Sequence, residues 1–317
     1  MIGRRIRGAA LAALSWVVCR LPEGPLVALA ELAGEAWYRT TPRRRALGRD
    51  NLRRVVTALA SQGRGGPSIA VAARSPAGLE ALVRRAYRHA ARYYLEMIRT
   101  PAMTSAYLDE RLIVETPDVV DLAFGPGSPV IFVGLHYGAI ELPALYLTHR
   151  TGRPATGPME TLDDPALQAW IVRSRGAAGL NLVDIRAARR ELGAAIARGE
   201  SVGLVADRDI LGTGLELPFF GAAARFPIGP ALLALESGLP IYVASVRRAG
   251  AGRYHGRLRA APLPAEGTRR ERIAAAMTGI VAAFEDAIEQ APEQWWGAFF
   301  PIWTEAAAPP AAAEVPA

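Results

Sequence analysis

The chain has 317 residues, enough for one large or two ordinary domains, and 51% of them are hydrophobic, so a sizeable core is easily filled. Lysine is absent, so the 37 basic residues are all arginines, set against 30 acidic residues for a net charge of +7. The single cysteine, Cys19, excludes an intramolecular disulfide and a cysteine-based zinc site.

Arginine presents a planar fork of donors that suits phosphate and carboxylate. Anionic partners are therefore expected: phospholipid headgroups, a phosphorylated cofactor or nucleic acid. No glycine-rich phosphate loop and no RNA-binding signature accompanies the charge, so it gives no further support to nucleic acid.

At the N-terminus, Arg4, Arg5 and Arg7 precede the apolar run Gly8–Cys19, and Arg20 closes it. That run is shorter than the roughly 20 residues a spanning helix needs. A second apolar segment, Leu26–Tyr38, follows, then Arg43, Arg44 and Arg45, with no clear small-residue cleavage site. The pattern predicts amphipathic helices lying on an anionic membrane surface, on the cytoplasmic face of the plasma membrane. The competing reading is a helical hairpin packed on the core.

A further helix is predicted over Arg43–Ala60. The Gly/Ser-rich stretch Ser61–Ser68 breaks the pattern, and Leu79–Ile98 then recurs at helical spacing. His89, among arginines in that helix, reads as an exposed or packed side chain. The region 1–115 is thus expected to be helical, 116–305 to form an α/β core, and the Ala/Pro-rich tail 306–317 to be disordered.

From about residue 128, short apolar strands alternate with helices. The expected strands are Val130–Leu135, Arg153–Thr156, Asn181–Asp184, Ser201–Ala206, Leu215–Phe219, Ile241–Arg247 and a segment near Gly256–Ala261. The expected helices are Ile140–His149, Pro165–Arg175, Ala187–Arg198, Pro230–Ser237 and Arg269–Gln290. Such alternation argues an α/β fold: a central, largely parallel or mixed sheet flanked by helices.

Three segments carry the chemistry. In the first, a buried strand ends at His136, and Glu141 follows five positions on. With His136 in the turn and Glu141 one turn into the next helix, the carboxylate can reach back to one imidazole nitrogen. The other nitrogen is then left as a general base. In the second, the strand from Ser201 delivers Asp207, Arg208 and Asp209 at its C-terminal end, where ligands bind in α/β sheets. Asp207 or Asp209 offers a further carboxylate for His136, and Arg208 a contact for a phosphate or an oxyanion. The third runs from Phe219 through Arg225 to Gly229 and Pro230. Its prolines suit a helix start, where free amides attract anions. Taken alone, it reads as a loop packed on the core.

Gly199-Glu-Ser201-Val-Gly203 spells a nucleophile-elbow pattern, but a helix precedes this Ser and a strand follows, the reverse of what that motif requires. No paired-histidine spacing supports a metal site, so none is expected.

Together these segments resemble the lysophospholipid acyltransferase superfamily, in the branch of bacterial lipid A late acyltransferases and phosphatidylinositol mannoside acyltransferases. The resemblance rests on the amphipathic N-terminus, the H-x4-D/E pair His136 and Glu141, and the Asp-Arg-Asp turn at 207–209. It also rests on Phe219-Phe-Gly221 with Arg225-Phe226-Pro227-Ile-Gly229-Pro230, and on Pro292-Glu-Gln-Trp295-Trp296 with Trp303. Relatives commonly carry Asn-Trp-Asp where this chain has Ala139-Ile140-Glu141.

The resemblance implies transfer of a fatty acyl group from acyl-CoA or acyl carrier protein, as donor substrate, to a hydroxyl of a membrane lipid or glycolipid. It makes His136 the general base, Glu141 the acid of its motif and Asp207 an alternative orienting carboxylate. Arg208 and Arg225 become contacts for donor phosphate or acceptor headgroup, with Asp209 and Gly229 beside them. No cofactor, metal or covalent acyl-enzyme is implied. The competing functions are a catalytically silent lipid-binding protein on the same scaffold and a lipid hydrolase using the same histidine.

Overall fold

The computed structural model describes residues 2–125 and 129–303. The expected tail, 306–317, lies outside the described residues.

Five helices come first: α1 (Ile2–Val18), α2 (Glu23–Thr40), α3 (Pro42–Ser61), α4 (Pro67–Arg74) and α5 (Pro76–Arg99). Proline in the first turn starts α3, α4 and α5, where its missing N–H costs nothing. Ser75 caps α5 by accepting a hydrogen bond from the Gly78 amide. The chain continues through α6 (Ser105–Arg111), β1 (Leu112–Val114) and α7 (Pro117–Ala123) to β2 (Ile131–Gly134) and α8 (Leu142–Thr151). Next come β3 (Ala155–Met159), α9 (Pro165–Ala177), β4 (Leu180–Asp184), α10 (Ala188–Ala197) and β5 (Ser201–Val205). The hairpin β6 (Leu215–Phe219) and β7 (Ala222–Phe226) leads into α11 (Gly229–Ser237). The chain ends through β8 (Ile241–Gly250), β9 (Arg253–Ala260) and α12 (Arg269–Gln290), then short 3₁₀ turns.

Seven strands form one sheet in the order β1-β9-β8-β2-β5-β3-β4. β2 pairs in parallel with both β5 and β8, and β3 pairs in parallel with β5 and β4. Only β9 and β1, at one edge, run the other way. The C-terminal ends of β8, β2, β5, β3 and β4 therefore gather along one rim. The fold is α/β, with a mostly parallel mixed sheet flanked by helices.

β2 shows why this follows from sequence. Ile131 and Val133 enter the core built from α3, α5, α10, α11 and α12, while Phe132 enters the core built from α6, α7 and α8. A strand buried on both faces has no polar side, so it reads as a continuous apolar run.

Several expectations shift. β1 interrupts the region expected to be helical up to residue 115. The first strand after α8 is Ala155–Met159 rather than Arg153–Thr156, because Gly152 caps α8 in the left-handed conformation and Pro154 follows. The segment after Phe219 is the second arm of a hairpin, not a loop: Phe220 and Gly221 both have positive φ (47° and 78°), the turn that suits a two-residue hairpin.

α1 and α2 pack on the body and remain apolar outside. Ser15 hydrogen-bonds the Ile98 carbonyl, and Gly34 lets α2 approach the backbone of α5 so closely that a Cβ would lie 2.7 Å from it. Ile6, Leu14, Trp16, Val17, Leu21, Leu29 and Leu32 are exposed. Among the described residues, no helix is long and apolar enough to cross a membrane.

Candidate active site

The parallel register sets Gly134 opposite Val205 on the neighbouring strands β2 and β5. Two residues further on, both chains leave the rim, at His136 and Asp207. The imidazole Nδ1 lies 2.6 Å from Asp207 Oδ1. Asp207 Oδ2 accepts from the His136 backbone amide (3.0 Å) and from the Trp295 indole N–H (2.9 Å).

Asp207 is completely buried. Burial alone would raise its pKa. The attraction of His136 and the hydrogen bonds from its ring, the Trp295 indole and the His136 amide outweigh that and hold the carboxyl below the usual range. An ionised carboxylate only accepts, so Nδ1 carries a proton, and in the neutral imidazole the lone pair is on Nε2. The imidazole lies edge-on to Trp296, with centroids 4.4 Å apart.

The loop after β2 is held on all sides. Gly138 has φ +52°, and a Cβ there would fall 1.9 Å from the Val246 carbonyl oxygen. The Gly138 amide donates to Gln294 and the Ala139 amide to Val246, while the His136 carbonyl accepts from Gly297. Beneath it, the Arg248 guanidinium, fully buried, donates to Glu96 and to the Gly138 carbonyl. That network fixes where His136 points.

Glu141 does not make the expected reach to the imidazole. It sits at the N-cap of α8, and its two oxygens form a paired ion contact with Arg175 on α9. Arg175 lies beside Tyr93, and Tyr93 stacks on Trp296, with centroids 4.5 Å apart. Among the described residues, Glu141 makes no direct hydrogen bond or ion pair with His136; Arg175, Tyr93 and Trp296 stand between them.

Arg208 lies over the Phe300 ring, 3.6 Å from its centroid, with Glu160 3.6 Å away. Asp209 turns from the histidine and anchors its own loop, accepting from the Gly212 (3.1 Å) and Gly214 (2.7 Å) amides. Arg225 is exposed on β7, opposite Glu216 in the hairpin register. Gly229 opens α11 and faces Leu204 of β5 at ordinary contact distance. The structure thus brings His136 and Asp207 together with Arg208 beside them. It gives Asp209 a local partner and sets Arg225 on the surface.

Sequence reasoning missed Arg175, Tyr93 and the Trp295 N–H. Trp295 and Trp296 were visible as a motif, but nothing local indicated that an indole would hold Asp207. The other histidines have their own settings. His89 is packed, and burial with nearby Arg248, Arg92 and Arg85 pushes its pKa down to about 2. His149 meets Asp109, and His255 shares Glu115 with Arg247 and Arg257. Ser201 begins β5 and accepts from the Val130 amide.

The sequence model of a family described as bacterial lipid A biosynthesis acyltransferase matches residues 68–298. The chain is 30% identical over 165 residues to a phosphatidylinositol mannoside acyltransferase of Mycolicibacterium smegmatis, covering 51% of this chain and 54% of that one. A protein of the same name from Mycobacterium tuberculosis is 29% identical over 153 residues, covering 46% and 48%. The chain spans about half the length of the curated relatives it matches.

Proposed function

We propose that this chain, which belongs to the bacterial lipid A biosynthesis acyltransferase family, moves a fatty acyl group from an acyl thioester to a hydroxyl of a membrane glycolipid or lysophospholipid. The observation that carries this reading is the 2.6 Å contact between His136 Nδ1 and a carboxylate with no exposure to solvent.

In this reading Asp207 fixes the tautomer and stabilises the imidazolium, and Nε2 is the base. Nε2 takes the proton of the acceptor hydroxyl as its oxygen attacks the thioester carbonyl. A C–O bond forms and the carbonyl pair moves onto oxygen. Collapse of that intermediate breaks the C–S bond, and the proton on Nε2 passes to the departing thiolate. A general base of this kind contributes about 10²–10⁴-fold. Glu141 acts through Arg175, bracing α8 against α9.

The donor is acyl-CoA or an acyl carrier protein, a substrate rather than a bound cofactor. Arg208 lies within the site for a substrate anion. The apolar exposure of α1 and α2, with Arg20 folded over Trp16 at 3.7 Å, supports peripheral attachment to an anionic membrane surface on the cytoplasmic face. Similarity to phosphatidylinositol mannoside acyltransferases favours a mannolipid acceptor.

The test is thiol release and product analysis with purified protein, acyl-CoA or acyl carrier protein, and candidate lipids. Acylated lipid from wild type and none from His136→Ala is expected. Free fatty acid in its place would mean a hydrolase. Binding of lipid without any product would mean a silent scaffold.

A further inference from the structure

Resting on the acyl-transfer reading, we propose that Arg44 and Arg208 form a two-guanidinium clamp for a substrate phosphate, set on Phe300 beside His136. The guanidinium carbons of Arg208 and Arg44 lie 3.6 and 5.8 Å from the centroid of the Phe300 ring. That centroid is 6.2 Å from the His136 ring. One arginine comes from the rim of the sheet and the other from α3, so the helical region supplies half of the clamp.

The placement of Arg44 is built in. Asn51, two turns along the same helix, donates to the carbonyls of Ala298 (2.8 Å) and Phe300 (2.9 Å). Gly48 packs so tightly on Phe299 that a Cβ would lie 2.8 Å from its ring. These contacts lock α3 to the segment carrying Phe300.

The Arg208 charge is under-compensated. Among the described residues, the only carboxylate within ion-pair reach of Arg208 is Glu160 at 3.6 Å, longer than a hydrogen bond. Neighbouring Asp207 commits both oxygens to His136 and Trp295 and offsets the Arg208 charge only through space. The Arg208 side chain is largely buried, at 20% exposure, and Arg44 repels it. The first turn of α3 holds Arg43, Arg44 and Arg45 and no acidic residue, against the preference of the helix dipole. An anion between the two guanidiniums relieves repulsion and desolvation together. Arginine forks match phosphate oxygens in pairs. Both substrates of the proposed reaction offer a phosphate: the phosphopantetheine of the donor and the headgroup of a phospholipid acceptor.

Isothermal titration of the full chain with four soluble probes tests the clamp: coenzyme A against pantetheine, and glycerophosphoinositol against myo-inositol. At least one phosphorylated probe should bind tenfold or more tightly than its phosphate-free counterpart. The Arg44→Ala/Arg208→Ala double variant should lose that preference, while His136→Ala keeps it. Preference for coenzyme A assigns the clamp to the donor, and preference for glycerophosphoinositol assigns it to the acceptor. Absence of any preference in wild type overturns the proposal. So does its survival in the double variant, shown folded by near-UV circular dichroism. Should the double variant not fold, Arg44→Gln, at an exposed position, makes the same comparison. Because binding needs no turnover, loss of the clamp and failure of the acyl-transfer reading are separate results.

Discussion

His136 and Asp207 stand at the same height on neighbouring parallel strands, each two residues past the paired positions Gly134 and Val205. Their 71-residue separation is the offset of the strand register itself. The sheet therefore delivers imidazole and carboxylate together, without a local motif.

Asp207→Asn is expected to lower kcat by about 10²–10⁴ with little change in KM, because an amide no longer enforces the Nδ1–H tautomer. Steady-state kinetics on folded protein check this. Unchanged turnover would remove Asp207 from the mechanism.

Glu141→Gln should act on stability first. It leaves the largely buried Arg175 charge uncompensated, a loss of about 3–5 kcal/mol for a pair of this kind. Replacing both partners, as Glu141→Gln with Arg175→Met, should recover much of that loss in urea denaturation. A variant as stable as wild type but catalytically dead would instead place Glu141 at the reacting atoms.

His89 should contribute to acid sensitivity. Its folded pKa, near 2, lies below the ordinary value of 6.5, so the unfolded chain binds a proton that the native state refuses. Its contribution to stability is complete above about pH 6.5 and is lost as pH falls below it, at up to about 1.4 kcal/mol per pH unit. His89→Gln should flatten that limb in denaturation midpoints measured from pH 7 down to about pH 4.5. An unchanged slope would show that His89 is not the group responsible.

Gly138→Ala forces a Cβ to within 1.9 Å of the Val246 carbonyl at a φ of +52°. The strained conformation alone costs about 1–3 kcal/mol, and the clash displaces the loop carrying His136. Activity should fall along with thermal stability. A fully active Gly138→Ala protein would show that the loop position is not critical.

Trp16→Ser with Leu29→Ser removes apolar area from the outer faces of α1 and α2, where both residues are exposed. Flotation with anionic vesicles should show weaker membrane binding at unchanged melting temperature. Equal flotation of variant and wild type would count against attachment through these helices.

The sequence made the sheet legible where strands are buried on both faces. Val130–Leu135 stands out as an apolar run and coincides with β2 to within a residue or two at each end, while Asn181–Asp184 coincides with β4 although that edge strand is partly exposed. It did not reveal β7, whose Ala222-Ala-Ala-Arg pattern lacks strand-forming side chains and is held by pairing with β6. At the site, His136 was legible because a lone histidine ended a buried strand. Glu141 drew attention by closeness in sequence, although its partner is Arg175. The pairing of Asp207 with His136 depends on which strands lie side by side, and the roles of Tyr93, Arg175 and Trp295 depend on helices and turns meeting across the fold. No periodicity encodes such contacts.

The most direct measurement is mass spectrometry of lipid extracts from native host cells making either wild-type protein or His136→Ala. The account predicts a lipid heavier by one acyl chain with wild type and its absence with the variant, which would also identify the acceptor. Identical lipid profiles, with both proteins folded and present at equal levels, would contradict it.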